Sequence, residues 1–189
     1  MGVPPAFGGA PGSGERGPER VSTDWAEVYR TTFTDLVRYL YRKVWDAERA
    51  EDLAQEAFVR VLDDEPDNPR AWLYRVASNL ARDEVRTVIR RKRHLTLIKA
   101  ESDGAATPDP VEQLDRQEKQ ESARRALEEL SDRDREVLLL WDAGMNYTEI
   151  AKHTGLAVGA IGTTLSRARK RLVAAYDAAG SEGSHVARG

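Results

Sequence analysis

The chain has 189 residues, with 29 Lys and Arg against 32 Asp and Glu, a formal net charge of −3 and 40% hydrophobic residues, which is material for one medium or two small globular domains. It contains no cysteine, which excludes disulfide frameworks and cysteine-ligated metal sites. No apolar run reaches a membrane-spanning length and the N-terminus lacks a charged-then-apolar signal pattern, so a cytoplasmic location is expected.

Residues 1–22 are dominated by Gly, Pro and small polar residues, a composition that buries too little apolar surface to offset ordering entropy, and are expected to form a disordered extension. Val21 is a candidate product of an alternative start codon. From Thr23 the apolar residues Trp25, Val28, Tyr29, Phe33, Leu36, Val37, Leu40 and Tyr41 recur at spacings of three and four, which predicts a long amphipathic helix with at most one break. A second helix follows over Glu48–Leu62. Its inward stripe is Ala50, Leu53, Ala54, Ala57, Phe58 and Val61, which leaves Asp52, Gln55, Glu56 and Arg60 facing outward. An acidic outer face needs no function beyond solvation.

Asp63–Asp67 is a polar, proline-bearing loop, and Asn68 then caps a helix that opens on Pro69, where a missing N–H costs nothing. At 100° per residue Trp72, Leu73, Val76, Ala77 and Leu80 fall on one face, while Arg75, Asn79, Arg82, Arg86 and Arg93 fall on a stripe away from it. Between Arg70 and Lys99 there are nine Lys/Arg and two Asp/Glu, so the stripe lacks the interleaved acids of a salt-bridged surface helix. A polyanion supplies the missing charge, and nucleic acid is the commonest one. By contrast Asp46–Glu65 holds eight acids and two bases. The near-neutral total hides this segregation.

Residues 95–122 are small, acidic and proline-containing at first and then highly charged, which reads as a linker between domains. The second domain, 123–176, begins with Ala123–Leu130. Ser131 caps a helix with the short acid Asp134 at its third position, Val137–Trp141 fill it and Gly144 ends it. Asn146 and Glu149 form a second capping pair, a short helix runs to His153, and a last helix carries Ile161, Leu165, Ala168, Leu172 and Tyr176. Relative to Tyr147, the small Ala151, the turn glycine Gly155 and the branched Ile161 stand where two steeply crossing helices need them. This is the helix-turn-helix pattern, and Arg167, Arg169, Lys170 and Arg171 on its second helix suit a phosphate backbone. Residues 177–189 are expected to be a short, frayed tail. The predicted fold is all-α: two small helical domains, 23–94 and 123–176, joined by a flexible linker.

With both halves in one chain, the sequence resembles an extracytoplasmic-function (ECF) sigma factor of bacterial RNA polymerase. The resemblance lies in Asp52-Leu53-Ala54-Gln55-Glu56-Ala57-Phe58-Val59-Arg60, in Ala71-Trp72-Leu73-Tyr74-Arg75-Val76-Ala77-Ser78-Asn79, and in Tyr147-Thr148-Glu149-Ile150-Ala151 with Arg167-Ala168-Arg169. It implies that residues 23–94 are sigma region 2 and that Asp52, Gln55, Glu56 and Arg60 dock on core polymerase. It also implies that Trp72, Arg75, Asn79, Arg82, Arg86, Arg90 and Arg93 contact and melt the minus-ten element, with Asn79 helping to hold a flipped base. Region 4, 123–176, would bind the minus-thirty-five element through Thr148, Thr163, Thr164, Ser166, Arg167, Arg169 and Lys170. The linker would thread the RNA-exit region of polymerase, and an anti-sigma factor is an implied partner.

One departure stands out: Gly159-Ala160-Ile161-Gly162-Thr163-Thr164 replaces the family's usual Gly-Thr-Val-Lys-Ser-Arg type sequence. Two cations are thereby absent, and Gly162 costs about 1 kcal/mol of helix propensity against alanine. The rival from another class is a free-standing helix-turn-helix regulator that never joins polymerase, which leaves the cationic stripe unused. An enzyme is a poorer match, because His94, His153 and His185 are scattered and neither a phosphate loop nor a nucleophile-base set is present; no cofactor or metal is expected.

Overall fold

The computed structural model describes residues 23–95 and 110–186, with side chains over 23–88, 90 and 117–179. The expected N-terminal extension and residues 96–109, half of the expected linker, lie outside the described residues. Seven helices and no strand are present among those described, so the all-α expectation holds. They are α1 Trp25–Val44, α2 Ala47–Val61, α3 Pro69–Leu95, α4 Pro110–Glu128, α5 Asp132–Asp142, α6 Tyr147–Thr154 and α7 Val158–Val186.

Short polar side chains start the helices of the first domain. Asp24 accepts from the Glu27 amide at 3.0 Å, Asp46 from Arg49 at 2.9 Å and Asn68 from Ala71 at 2.9 Å, each satisfying a donor that the first helical turn leaves unpaired. The first helix is unbroken for 20 residues and ends at Trp45, a non-glycine residue at φ 57°, whose N–H returns to the Tyr41 carbonyl. Around these starts α1, α2 and α3 close one core: Leu36, Tyr39 and Leu40 meet Leu53, Ala54, Ala57 and Val61, and Leu73, Tyr74 and Ala77 complete it. The Tyr39 and Tyr74 rings pack edge to face with centroids 5.1 Å apart.

In the second domain α4 and α7 pack together and α5 and α6 pack on α7. Asn146 and Glu149 make the expected reciprocal capping box, and Gly155 takes the left-handed turn at φ 74°. Buried Ile150, Ala151 and Ile161 lock the crossing.

Three expectations are corrected. Helix α4 begins at Pro110, well inside the segment read as linker: a proline in the first position followed by Glu, Gln, Arg and Lys gives good helix propensity even where the hydrophobic periodicity is weak. Helix α7 runs on to Val186, through residues expected to fray. Asp134 does not return to the Ser131 N–H as a capping-box acid does. Its carboxylate is only 2% exposed and pairs with Arg167 and Arg171 of α7 at 2.8 and 3.1 Å.

Because Ile161 is completely buried, Ile161→Ala removes contacts from a site with little freedom to collapse. The variant should lose about 2–5 kcal/mol of stability in urea unfolding followed by circular dichroism; a loss under about 1 kcal/mol would contradict the packing described.

Candidate nucleic-acid interface

Helix α3 presents Arg75, Asn79, Arg82, Arg86 and Arg90 to solvent along one side. Asn79 accepts from Arg82 at 3.2 Å, and Arg86 has a loose approach to Asp83 at 3.7 Å. The face therefore stays strongly cationic, as the scarcity of acids in the sequence requires. Arg93 lies in the helix with its side chain outside the described set. Trp72 stands apart from the arginines: half-buried, it packs on the core and donates its indole N–H to the Asp64 carboxylate at 2.7 Å. Trp25 donates to the Asp64 carbonyl at 3.2 Å. Two tryptophans from two helices thus hold the loop that precedes α3.

On α2, Asp52 and Gln55 are exposed and Glu56 is half-buried. Arg60 bonds Glu56 at 2.6 Å, one turn away on the same helix. Val59 is 68% exposed and Leu62 is also open to solvent. An apolar pair beside acidic and amide side chains is a feature of a docking face. Sequence reasoning passed over both residues, although Val59 lies four residues after Gln55 on the outward side.

The second domain divides its candidates. On α7, Thr163, Ser166 and Lys170 are exposed, as is Thr148 on α6. Thr164 is only 6% exposed, which corrects the expectation that it contacts DNA: it lies beside buried Leu165 and Ile161 on the core side of the helix. Arg167 is committed to Asp134. The hydrogen bond from Arg167 holds the Asp134 carboxyl below its ordinary range, against the upward push of burial. The Arg169 guanidinium lies 5.7 Å from the centre of the Trp141 ring, and Trp141 in turn packs on Tyr147 at 5.3 Å. A Cβ placed on Gly162 would meet the Tyr147 ring at 3.6 Å, an ordinary contact, so crowding does not demand glycine there.

The model of sigma-70 region 2 matches residues 28–92, which span α1 to α3, and that of sigma-70 region 4 matches residues 120–172, from late α4 into α7. The chain is 32% identical over 153 residues to the RNA polymerase sigma factor YlaC of Bacillus subtilis, covering 77% of this chain and 88% of that protein. The chain belongs to the ECF sigma factors of RNA polymerase. This sigma factor is also 32% identical over 160 residues to the probable ECF sigma factor SigI of Mycobacterium tuberculosis, spanning 54% of that longer relative. Among solved structures it is similar to the sigma factor RpoE of Bartonella quintana in complex with the anti-sigma factor NepR, with a TM-score of 0.60 and 26% identity over 82% of this chain and 97% of that one.

Regions 2 and 4 of the sigma factor touch, a contact that no local pattern in the chain announces. Glu136 of α5 accepts from Tyr39 at 2.6 Å, from Ser78 at 3.0 Å, from Lys43 and from His153 at 2.9 Å. Burial would push this carboxyl up, but the hydrogen bond from His153 and the charge of Lys43 outweigh it and hold the group well below the usual carboxylate range. Arg42 pairs with Asp142, Arg70 donates to the carbonyls of Ala143 and Gly144, and Asn68 donates to Glu149 at 2.7 Å. Beside this contact runs a groove of about 660 Å³ whose lining includes Arg82, Arg86, Arg133 and Arg135.

Asp134, with a usual carboxyl value of 3.8 that the fold lowers, contributes stability that is present above that value and lost as pH falls through the lower folded-state one. Asp134→Asn should therefore lower stability by about 1–3 kcal/mol at pH 7 and show a smaller loss between pH 4 and pH 2 than the parent protein, measured by urea unfolding across that range.

Proposed function

We propose that this chain binds core RNA polymerase and directs promoter-specific initiation, region 2 recognising and melting the minus-ten element and region 4 binding the minus-thirty-five element. The observation that carries the reading is the acid-poor arginine face of α3 joined in one chain to the helix-turn-helix of α6 and α7. A duplex-only regulator has work for the second of these and none for the first.

The geometry supports the following roles. The backbone of a melted strand lies along Arg75, Arg82, Arg86, Arg90 and Arg93, whose charge displaces condensed counterions. Asn79 among them offers an amide to a base edge that is exposed only after strand separation. Trp72 acts by anchoring the preceding loop through Asp64. In region 4, Thr148, Thr163, Ser166 and Lys170 reach the major groove, while Arg167 and Arg169 act mainly in holding the recognition helix against Asp134 and Trp141. Asp52, Gln55 and Glu56, with Val59 and Leu62, form the polymerase-docking face, and Arg60 orients Glu56.

The sigma factor performs no catalysis in this scheme: bond formation belongs to polymerase, and the chain acts in the cytoplasm, where polymerase is. No described helix is long and apolar enough to cross a membrane. An anti-sigma protein is a further partner, as NepR is for RpoE, and the arginine-lined groove beside α3 suits an acidic one.

Charge reversal at Asp52 and Glu56 should weaken core-polymerase binding at least tenfold, about 1.4 kcal/mol, while leaving duplex binding unchanged. Arg82→Ala should keep core binding, slow open-complex formation and reduce the salt slope of promoter binding by about one. Binding to specific duplex with no affinity for core polymerase would support the free-standing regulator instead.

A further inference from the structure

We propose that Arg49 is a positioning residue for promoter melting: through Glu84 it ties the outer half of α3 to the polymerase-docking helix α2 and so fixes where the arginine face meets the strand. The inference rests on the promoter reading above. The first half of α3 is held against α1 and α2 by Leu73, Tyr74, Ala77, Leu80 and Ala81, all buried. Beyond Ala81 the described part of the helix buries no side chain. Arg82, Arg86 and Arg90 therefore stand on an arm that runs from there to Leu95, roughly 20 Å at ~1.5 Å per residue. A swing of about 10° at its base moves the end of such an arm by roughly 3–4 Å, more than a hydrogen bond or a close ion pair tolerates.

Glu84 is where the arm is held. Its neighbours three and four residues away on α3 are Leu80, Ala81, Thr87 and Val88, so its own helix offers it no cation. The partner comes from α2: the Arg49 guanidinium donates to the Glu84 carboxylate at 2.8 Å, and the Glu84 side chain is only 19% exposed.

Arg49 is out of place by the local rules of its own helix. It stands in the third position after the Asp46 cap, in the first turn, where the free amides favour an acid over a cation and a reciprocal cap calls for Glu or Gln. A residue that breaks a local rule is explained by what it gains elsewhere, and here the gain lies across the gap to α3. Asp46 accepts from the Arg49 amide at 2.9 Å, so the backbone is fixed at the point from which the guanidinium reaches out. The same guanidinium lies 3.6 Å from Asp52 on the docking face. One side chain thus links the surface assigned to polymerase with the helix assigned to the strand.

Glu84→Ala separates this role from simple charge. Removing an acid from a helix that binds DNA tightens binding by electrostatics alone, and alanine is the best helix former, whereas loss of the tie weakens binding. In holoenzyme reconstituted with core polymerase, on a promoter located by sequencing its transcripts, Glu84→Ala should slow open-complex formation roughly two- to fivefold, the range that a partly exposed ion pair supplies. Its affinity for core polymerase should not change. Arg49→Ala should slow opening to a similar degree, and Arg49→Ala combined with Glu84→Ala should be no slower than the slower single variant, because both remove one interaction. In the free full-length protein, backbone amides from Arg82 to Arg90 should exchange faster in each variant, while those from Leu73 to Ser78 keep their protection. Unchanged or faster opening in Glu84→Ala, additive losses in the double variant, or unchanged exchange over Arg82–Arg90 would overturn the role of Arg49. Failure of the parent protein to bind core polymerase, with exchange still following the pair, would overturn the promoter reading and leave the tie between α2 and α3 standing.

Discussion

A carboxylate taken out of water must be met by donors on every side, and Glu136 is met by four groups drawn from three other helices. The requirement reaches into both domains. Lys43 is itself buried, which lowers its pKa against the opposing pull of Glu136, and the Tyr39 hydroxyl is kept protonated, and hence a donor, by burial and by the neighbouring negative charge. Lys43 also donates to Tyr39 at 3.1 Å and to Ser78 at 2.9 Å inside region 2, and Glu136 joins this group to His153 of region 4. Ion pairs of this kind add little net stability once desolvation is counted; what they supply is a defined geometry.

The same economy governs the recognition helix. Four cations stand on α7 between Arg167 and Arg171, yet three of them have partners: Arg167 and Arg171 on Asp134, and Arg169 over Trp141. The absence of the family's usual basic residues at Gly162 and Thr164 therefore weighs more than the count of arginines suggests. On the proposed reading, Lys170, Ser166 and Thr163 are the groups left for DNA, a set suited to hydrogen-bonding hydroxyls and phosphate attraction more than to arginine-to-guanine pairing.

On α3 the balance is reversed. Only Asp83 and Glu84 interrupt the arginines, and Glu84 is drawn off by Arg49 of α2 at 2.8 Å. On α2, Asp52, Gln55 and Glu56 lie outward with the exposed Val59, and the exposed Leu62 follows at the helix end. Region 2 thus carries two surfaces of opposite character on adjacent helices, one suited to a polyanion and the other to a protein.

Most of the secondary structure was legible from the chain because its signals are local. Caps at Asn68, Ser131 and Asn146, turn glycines at Gly144 and Gly155, and apolar spacings of three and four act within a few residues of where they are written. The scarcity of acids between Arg70 and Lys99 likewise determined that α3 would present a cationic face, whatever it packs on. Tertiary structure decided the matters that depend on residues far apart in sequence: that Asp134 pairs with α7 instead of capping its own helix, that Thr164 is buried while Thr163 is exposed, that Trp72 anchors a loop, and that Glu136 joins the two domains. A hydrogen bond between Tyr39 and Glu136, 97 positions apart, leaves no periodicity in the sequence. Local propensity can specify a helix and its face, but only the packed chain determines which charge finds a partner.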